Sequence, residues 1–368
     1  MKELGLEILN KINDYGYVGY IVGGYVRDSL LGIESKDIDI TTNATPMELK
    51  NIFSKEEMIN SGYGSVSLIY KNKKFEITTF RKDEDYLDNR HPNRIVYVNS
   101  LSEDVKRRDF TINALCLDKD DHLIDLVDGK KDLNNKIIRT IGDSDKSFKQ
   151  DALRILRAIR FASYLDFKLD DEVKKAILEN KHLLKNLSYE RKKQELDKIF
   201  GSNKAREGIK LIKEFNLDEE LDLFNINRVK DYSDIVGIWA MIDTDVYNFT
   251  SSEKDLIEKI NATYKMDNLD IDVLYKYGLY VNVISGINKG ISKKEILEKY
   301  ENLPIKNRDE IQINGKEICK LLNKKGGAFV GMIYSDLEKA ILHGDLSNDK
   351  LKIKEYILEN KDRYEYDK

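Results

Sequence analysis

Proline is nearly missing from this sequence, at three of 368 residues, and cysteine and tryptophan are scarcer still, at two and one. So few prolines leave few fixed breaks, which suits a largely helical chain. Cys116 and Cys319 lie far apart and without CxxC spacing, so neither a disulfide framework nor a zinc site is expected, and both read as core thiols. Long apolar runs are absent too. No stretch approaches the roughly 18 uninterrupted apolar residues that cross a bilayer. Met1-Lys2-Glu3-Leu4 opens no signal-peptide apolar region, so a cytoplasmic protein without membrane contact is expected. Histidine is limited to four scattered residues; His122, His182 and His343 read as solvated, and no His-Asp pair of the phosphohydrolase kind occurs.

What the chain does contain is apolar residues at 41% and charged residues at 35%, enough for real cores inside a polar surface. Its length exceeds what one core usually organises, so two or more packed units are expected. The net charge of −4 argues against a globally basic nucleic-acid binder, but the distribution is uneven. Residues 151–210 carry fifteen Lys or Arg against ten Asp or Glu, which allows a local basic surface or merely solvated helix faces.

The first 140 residues read as mixed α/β. Strands are expected at Tyr17–Val22, Asp37–Thr41, Ser65–Tyr70 and Lys74–Phe80, and helices at Leu4–Tyr15 and Pro46–Phe53. From Phe148 onward the period is helical, as in Ala152–Phe161, Asp171–Leu184 and Ser188–Phe200. Arg81–Ser100, rich in Asp, Asn and Arg, shows no periodicity and reads as a loop that orders on demand.

The strongest chemical signal is Asp37-Ile38-Asp39-Ile40 in a β pattern, where alternate residues share a face and two carboxylates project together. Like charges so placed are unfavourable unless a cation neutralises them, and a hard divalent ion with oxygen ligands, Mg²⁺ where phosphates are present, fits. Alone, such a pair is more often two solvated surface carboxylates. Ahead of it, Val22-Gly23-Gly24-Tyr25-Val26-Arg27-Asp28 reads as a strand entering a glycine turn and a short helix. Its backbone N–H groups and Arg27 suit an anion, although a plain turn with a salt-bridged Arg has the same pattern. No GK[ST] or GxGxxG follows. Glu76, alternating with Phe75 and Ile77, is a third carboxylate, either a metal ligand, a general base or an exposed strand residue.

Tyr20-Ile21-Val22-Gly23-Gly24-Tyr25-Val26-Arg27-Asp28 followed by Lys36-Asp37-Ile38-Asp39 resembles the first motif of class II tRNA nucleotidyltransferases and bacterial poly(A) polymerases. Arg107-Arg108-Asp109-Phe110-Thr111-Ile112-Asn113-Ala114-Leu115 is similar to the family's second motif. Asp151-Ala152-Leu153-Arg154 through Arg157, Arg160 and Phe161 resembles its nucleotide-recognition helix, and Ser188-Tyr189-Glu190-Arg191 a helix start beyond it. The likeness covers residues 16–200, is weaker at Ile313–Lys316 and Gly326–Gly331, and includes little of 206–300.

The resemblance implies an α+β protein: a nucleotidyltransferase head with a small mixed sheet over 1–140, then an all-α neck (141–205), body (206–295) and tail (296–368). It implies Mg²⁺ on Asp37 and Asp39, and triphosphate contacts from Gly23, Gly24 and Arg27. It implies ribose or phosphate contacts from Arg108 and Asp109, and a nucleotide pocket lined by Arg157 and Arg160. Asp151 and Arg154, at i,i+3 on one helix face, offer an acceptor beside a donor, which matches the edges of cytosine and adenine and opposes those of guanine and uracil. An intrahelical ion pair is the plainer reading of the same spacing.

The implied activity is template-independent addition of CCA to the 3′ end of tRNA from CTP and ATP, by a monomer or homodimer that holds the tRNA acceptor arm. The segment Thr79–Pro92 resembles the flexible loop of enzymes that complete CCA. Ala152, where poly(A) polymerases tend to carry Pro, favours the tRNA enzyme, while an A-adding enzyme, a poly(A) polymerase and an inactive RNA-binding module remain as alternatives. Two departures stand out: Gln150 replaces the usual Glu, and Ser147 the usual Arg.

Overall fold

The computed structural model describes residues 1–35, 37–86 and 92–364; the side chains of 83–86 and 92–94 are not described. The described chain divides into two compact units, Met1–Leu223 and Phe224–Lys368.

The first unit is built on a seven-stranded sheet. Its strands are β1 (Gly19–Val22), β2 (Asp39–Thr42), β3 (Glu57–Gly62), β4 (Ser65–Tyr70), β5 (Lys73–Thr79), and the short β8 (Cys116–Leu117) and β9 (Leu123–Ile124). Their spatial order is β3-β4-β5-β2-β1-β8-β9, and β2 and β5 run parallel. The intervening β6 (Arg81–Tyr86) and β7 (Pro92–Tyr97) form a separate antiparallel ribbon. The loop expected over Arg81–Ser100 is therefore largely a β-hairpin. Both faces of such a ribbon can stay polar, so it leaves no hydrophobic alternation to read.

Helix α1 (Lys2–Asp14) buries Gly5, Ile8, Leu9 and Ile12, the i, i+3, i+4, i+7 stripe of an amphipathic helix. A Cβ on Gly5 would stand 2.9 Å from the Ile21 side chain, so the missing side chain sets how closely α1 lies on β1. α2 (Gly24–Leu30) follows β1 directly. α3 (Pro46–Ile52) starts with a Thr45/Glu48 capping box and Pro46 in the first turn, where its missing N–H costs little. The unit continues through α4 (Leu101–Lys106), α5 (Gly129–Asn135), α6 (Ser144–Gln150) and α7 (Leu153–Leu165). Strands β10 (Ile137–Ile138) and β11 (Lys168–Leu169) pair with each other, and α8 (Asp171–Asn180), α9 (Tyr189–Phe200) and α10 (Ala205–Glu214) complete the unit. α7 buries Leu153, Ile155, Leu156, Ala158, Ile159 and Phe161, so it is a core helix that carries Arg154, Arg157 and Arg160 along one side.

The second unit is all helical among its described residues: α11 (Ile235–Ile242), α12 (Ser251–Tyr264), α13 (Ile271–Lys289), α14 (Lys293–Glu301), α15 (Gly315–Leu322), α16 (Ala328–Leu342) and α17 (Lys350–Glu359). α13 is broken at Gly278, whose φ of 75° is left-handed. The buried Asn282 donates its side-chain amide to the Gly278 and Val273 carbonyls, 2.8 and 3.2 Å away, and so satisfies acceptors that the break frees. Among the described residues no helix is long and apolar enough to cross a membrane.

Candidate active site

A cleft of about 550 Å³ opens where β1, β2 and the start of α2 meet the C-terminal end of α4 and one side of α7. Gly23 supplies the turn. Its φ of 82° is left-handed, which is what favours glycine here; an added Cβ would make only ordinary contact with Asp39 Oδ2, 3.7 Å away. Gly24, Arg27, Asp39, Arg108, Asp109, Asp151, Arg154, Arg157 and Arg160 line the same cleft. A smaller cavity of about 360 Å³, near Phe167, Leu211 and Phe215, is lined by lysines and carboxylates but by no arginine.

The paired carboxylates differ from their sequence pattern. β2 begins at Asp39, so Asp37 precedes the strand; Ile38 between them is buried at 2% exposure. Asp39 sits opposite Glu76 in the parallel β2–β5 register. Confinement in the cleft raises the Asp39 pKa, and Glu76 and Asp37 push it further up against the pull of Arg108. A cation there would relieve that mutual repulsion, and three carboxylates suit a hard divalent ion. The three do not all converge within 4.8 Å. Glu76 lies outside the cleft lining, accepts a hydrogen bond from Ser67 and pairs with Lys74 at 3.0 Å. Asp118, Asp120 and His122, in the β8–β9 turn, do lie within 4.8 Å of one another and could hold an ion. Asp118 Oδ1 already accepts the backbone N–H groups of Asp120 and His122, which accounts for the turn without one.

The arginines are locked from behind. Arg27, 5% exposed, reaches Asp28 at 2.7 Å and donates to Asn113 Oδ1 at 2.6 Å, joining α2 to the turn after Phe110. Asp109 accepts from Arg157, from the Asn113 amide and from the Phe110 N–H. Burial alone would raise its pKa, but Arg157 and these hydrogen bonds outweigh it and hold the carboxyl at about 2. Arg160 is held by Glu195 of α9 at 2.7 Å. Arg157 and Arg160 are thus anchored inside a buried network rather than loose on a helix face.

Asp151 corrects the one-face reading. It lies in extended backbone between α6 and α7, and its Oδ1 accepts the Leu153 N–H at 3.0 Å. Arg154 is inside α7 and buried, and donates to Ser147 Oγ at 2.7 Å and to the Arg107 carbonyl at 2.5 Å. Both still line the cleft, but by way of a helix break.

Several residues escaped the sequence reading. The Phe161 ring lies 5.0, 5.4 and 4.2 Å from the guanidinium carbons of Arg27, Arg157 and Arg160, and meets Phe110 edge-on. Asp104, with no exposure at all, takes Arg107 at 2.8 Å and Arg108 at 2.9 Å and accepts from Thr41 and the Arg81 N–H. Its i,i+3 and i,i+4 spacing to the two arginines was the available signal. Arg81 and Asn113 also line the cleft. His91 and Lys36 of the first motif lie outside the described residues. His122, His182 and His343 are exposed.

A family model described as "Poly A polymerase head domain" matches residues 19–139, one described as "Probable RNA and SrmB-binding site of polymerase A" matches 166–221, and one described as "tRNA nucleotidyltransferase domain 2 putative" matches 247–357. The chain is 37% identical over 386 aligned residues to a CCA-adding enzyme of Ligilactobacillus salivarius, covering 96% of this chain and 95% of that protein. Its structure resembles that of the Bacillus stearothermophilus CCA-adding enzyme in complex with CTP, at a TM-score of 0.80 and 28% identity over 99% of this chain and 98% of that one. The fold is also that of the Thermotoga maritima CCA-adding enzyme complexed with tRNA-CCA, at a TM-score of 0.72 and 23% identity over 98% of this chain and 95% of that one.

Proposed function

This chain belongs to the CCA-adding enzymes, tRNA nucleotidyltransferases, and from that premise we propose how its cleft builds CCA on the 3′ end of tRNA from CTP and ATP. The observation that carries the assignment is the meeting, in one cleft, of Asp39, a glycine turn, the arginine cluster and the Asp151–Arg154 pair.

Arg27, Arg108, Arg157 and Arg160 neutralise and orient the triphosphate, with the N–H groups at Gly23 and Gly24 beside it. Asp109 is engaged with Arg157 and Asn113 and acts by fixing them. Asp151 accepts the exocyclic amino group of cytosine or adenine, while Arg154 donates to the neighbouring ring acceptor. Guanine and uracil would leave both groups unpaired, at about 1–3 kcal/mol each. Selection therefore needs no nucleic-acid template.

The family works with a divalent metal; we assign Mg²⁺ to Asp37 and Asp39, where it would lower the pKa of the RNA 3′-hydroxyl and neutralise the pyrophosphate. The chain's own part is to hold nucleotide and 3′ end in line. The division into head (1–140), neck (141–205), body (206–295) and tail (296–368) is the map we propose for tRNA contact.

The test is extension of tRNA transcripts ending before CCA, after C and after CC, with CTP and ATP singly and together. Two C and one A added in order, with loss in Asp37→Ala and Asp39→Ala, support the assignment. Addition of A to the CC-ended tRNA alone means an A-adding enzyme, long A tails mean a poly(A) polymerase, and no incorporation at all removes the catalytic reading.

A further inference from the structure

We propose that Ser147 is a positioning residue for base selection, holding both members of the Asp151–Arg154 pair. This rests on the reading of that pair as the base-recognising edge.

Ser147 lies in α6 and is 3% exposed. Its backbone carbonyl accepts the Asp151 N–H at 3.1 Å, in the turn that ends α6. Its hydroxyl accepts from Arg154 Nη1 at 2.7 Å, seven residues on and across the helix break. One buried residue therefore touches acceptor and donor alike, and the break that removes Asp151 from α7 is what brings this about.

The partners of Arg154 also differ from those of its neighbours. Arg157 is paired with Asp109 and Arg160 with Glu195, each a carboxylate. Arg154 is held by two neutral oxygens, the Ser147 hydroxyl and the Arg107 carbonyl. A carboxylate partner would cancel its charge and compete for its N–H groups; neutral acceptors fix the guanidinium plane and leave the charge to act on the bound base. A guanidinium has five donors in a rigid fork, so two anchored N–H groups set where the others point.

The experiment compares the full-length chain with Ser147→Ala and Ser147→Thr. Single-nucleotide addition of CTP and UTP is measured on a tRNA ending before CCA, and of ATP and GTP on one ending in CC. In Ser147→Ala the preference for CTP over UTP and ATP over GTP is expected to fall about tenfold, the scale of one lost hydrogen bond to a charged donor, with KM for CTP rising more than kcat falls. Ser147→Thr, which keeps the hydroxyl, is expected to retain the parent preference. An alanine variant as selective as the parent overturns the proposal, and so does equal loss of selectivity in both variants, which would assign the effect to packing. Failure of the parent chain to add any nucleotide would instead overturn the activity on which the proposal rests.

Discussion

Arg157 Nη2 lies 2.5 Å from Asp109 Oδ2, a part-buried ion pair that ties α7 to the segment after α4 across 48 residues of sequence. Asp109 titrates at about 2 in the folded chain, against about 3.9 when unfolded. A depressed carboxylate stabilises above its unfolded pKa, and that contribution is lost as pH falls from about 4 through about 2. It is about 2–3 kcal/mol. Asp109→Asn should flatten this part of the acid limb of stability and cost about 2–3 kcal/mol at neutral pH, because Arg157 then keeps only the Glu195 carboxylate, 4.0 Å away. Denaturant melts at pH 7 and at pH 3 measure both, and an unchanged acid limb would show that other carboxylates carry it.

Phe161 presents its ring to three guanidinium groups that would otherwise repel one another. Each such contact is worth about 0.5–1 kcal/mol where partly exposed and more when desolvated. Phe161→Leu keeps much of the apolar bulk but removes the π face. We expect KM for CTP and ATP to rise about three- to tenfold, with a smaller change in kcat. Steady-state kinetics that leave KM unaltered would mean the ring only fills space.

Asp104 neutralises Arg107 and Arg108 from behind while touching β2 through Thr41 and the root of the ribbon through the Arg81 N–H. Burial opposes its charge, but the two arginines win and hold its pKa below the ordinary range. Asp104→Asn leaves two guanidinium groups short of a counter-charge and is expected to lower stability by about 3–5 kcal/mol. Asp104→Glu keeps the charge but, one methylene longer in a site with no spare room, loses the geometry that the isosteric asparagine keeps. Comparing unfolding free energies and nucleotide addition for the two variants separates charge from position.

The two thiols should differ in reactivity. Cys116 is fully buried, and burial pushes its pKa up to about 12; Cys319 is only half-buried. A thiol reagent at pH 8 is expected to modify one cysteine in the native protein and two after denaturation. Rapid labelling of both under native conditions would contradict the packing of β8.

Legibility in the sequence followed the distance over which a signal acts. The helical stripe of α1, the capping box of α3, the alternation of Phe75, Glu76 and Ile77 and the glycine turn at Gly23 are local patterns, each read within a few residues of itself. The motifs, in order, also pointed to most residues of the cleft, although Asp37 and Glu76 do not line it. The strand was read from Asp37, two residues before β2 begins at Asp39, because alternation continues through a segment that DxD cannot distinguish from strand. The ribbon of β6 and β7 was read as loop, because Arg81–Tyr86 is polar throughout and the short apolar run Ile95-Val96-Tyr97 of its partner shows no alternation. The break between α6 and α7 was invisible, since apolar spacing persists across it while the backbone at Asp151 is extended.

By itself, then, the sequence determined which residue types were available and the local elements that carry them, because backbone sterics and apolar periodicity act over neighbouring residues. Only the tertiary structure decided which arginine is cancelled by a carboxylate and which is held by neutral oxygens, that Phe161 lies under three charges, and that Asp104 closes the cleft from behind. Those are contacts between groups tens of residues apart, and burial, which sets their strength, exists only once the chain has folded.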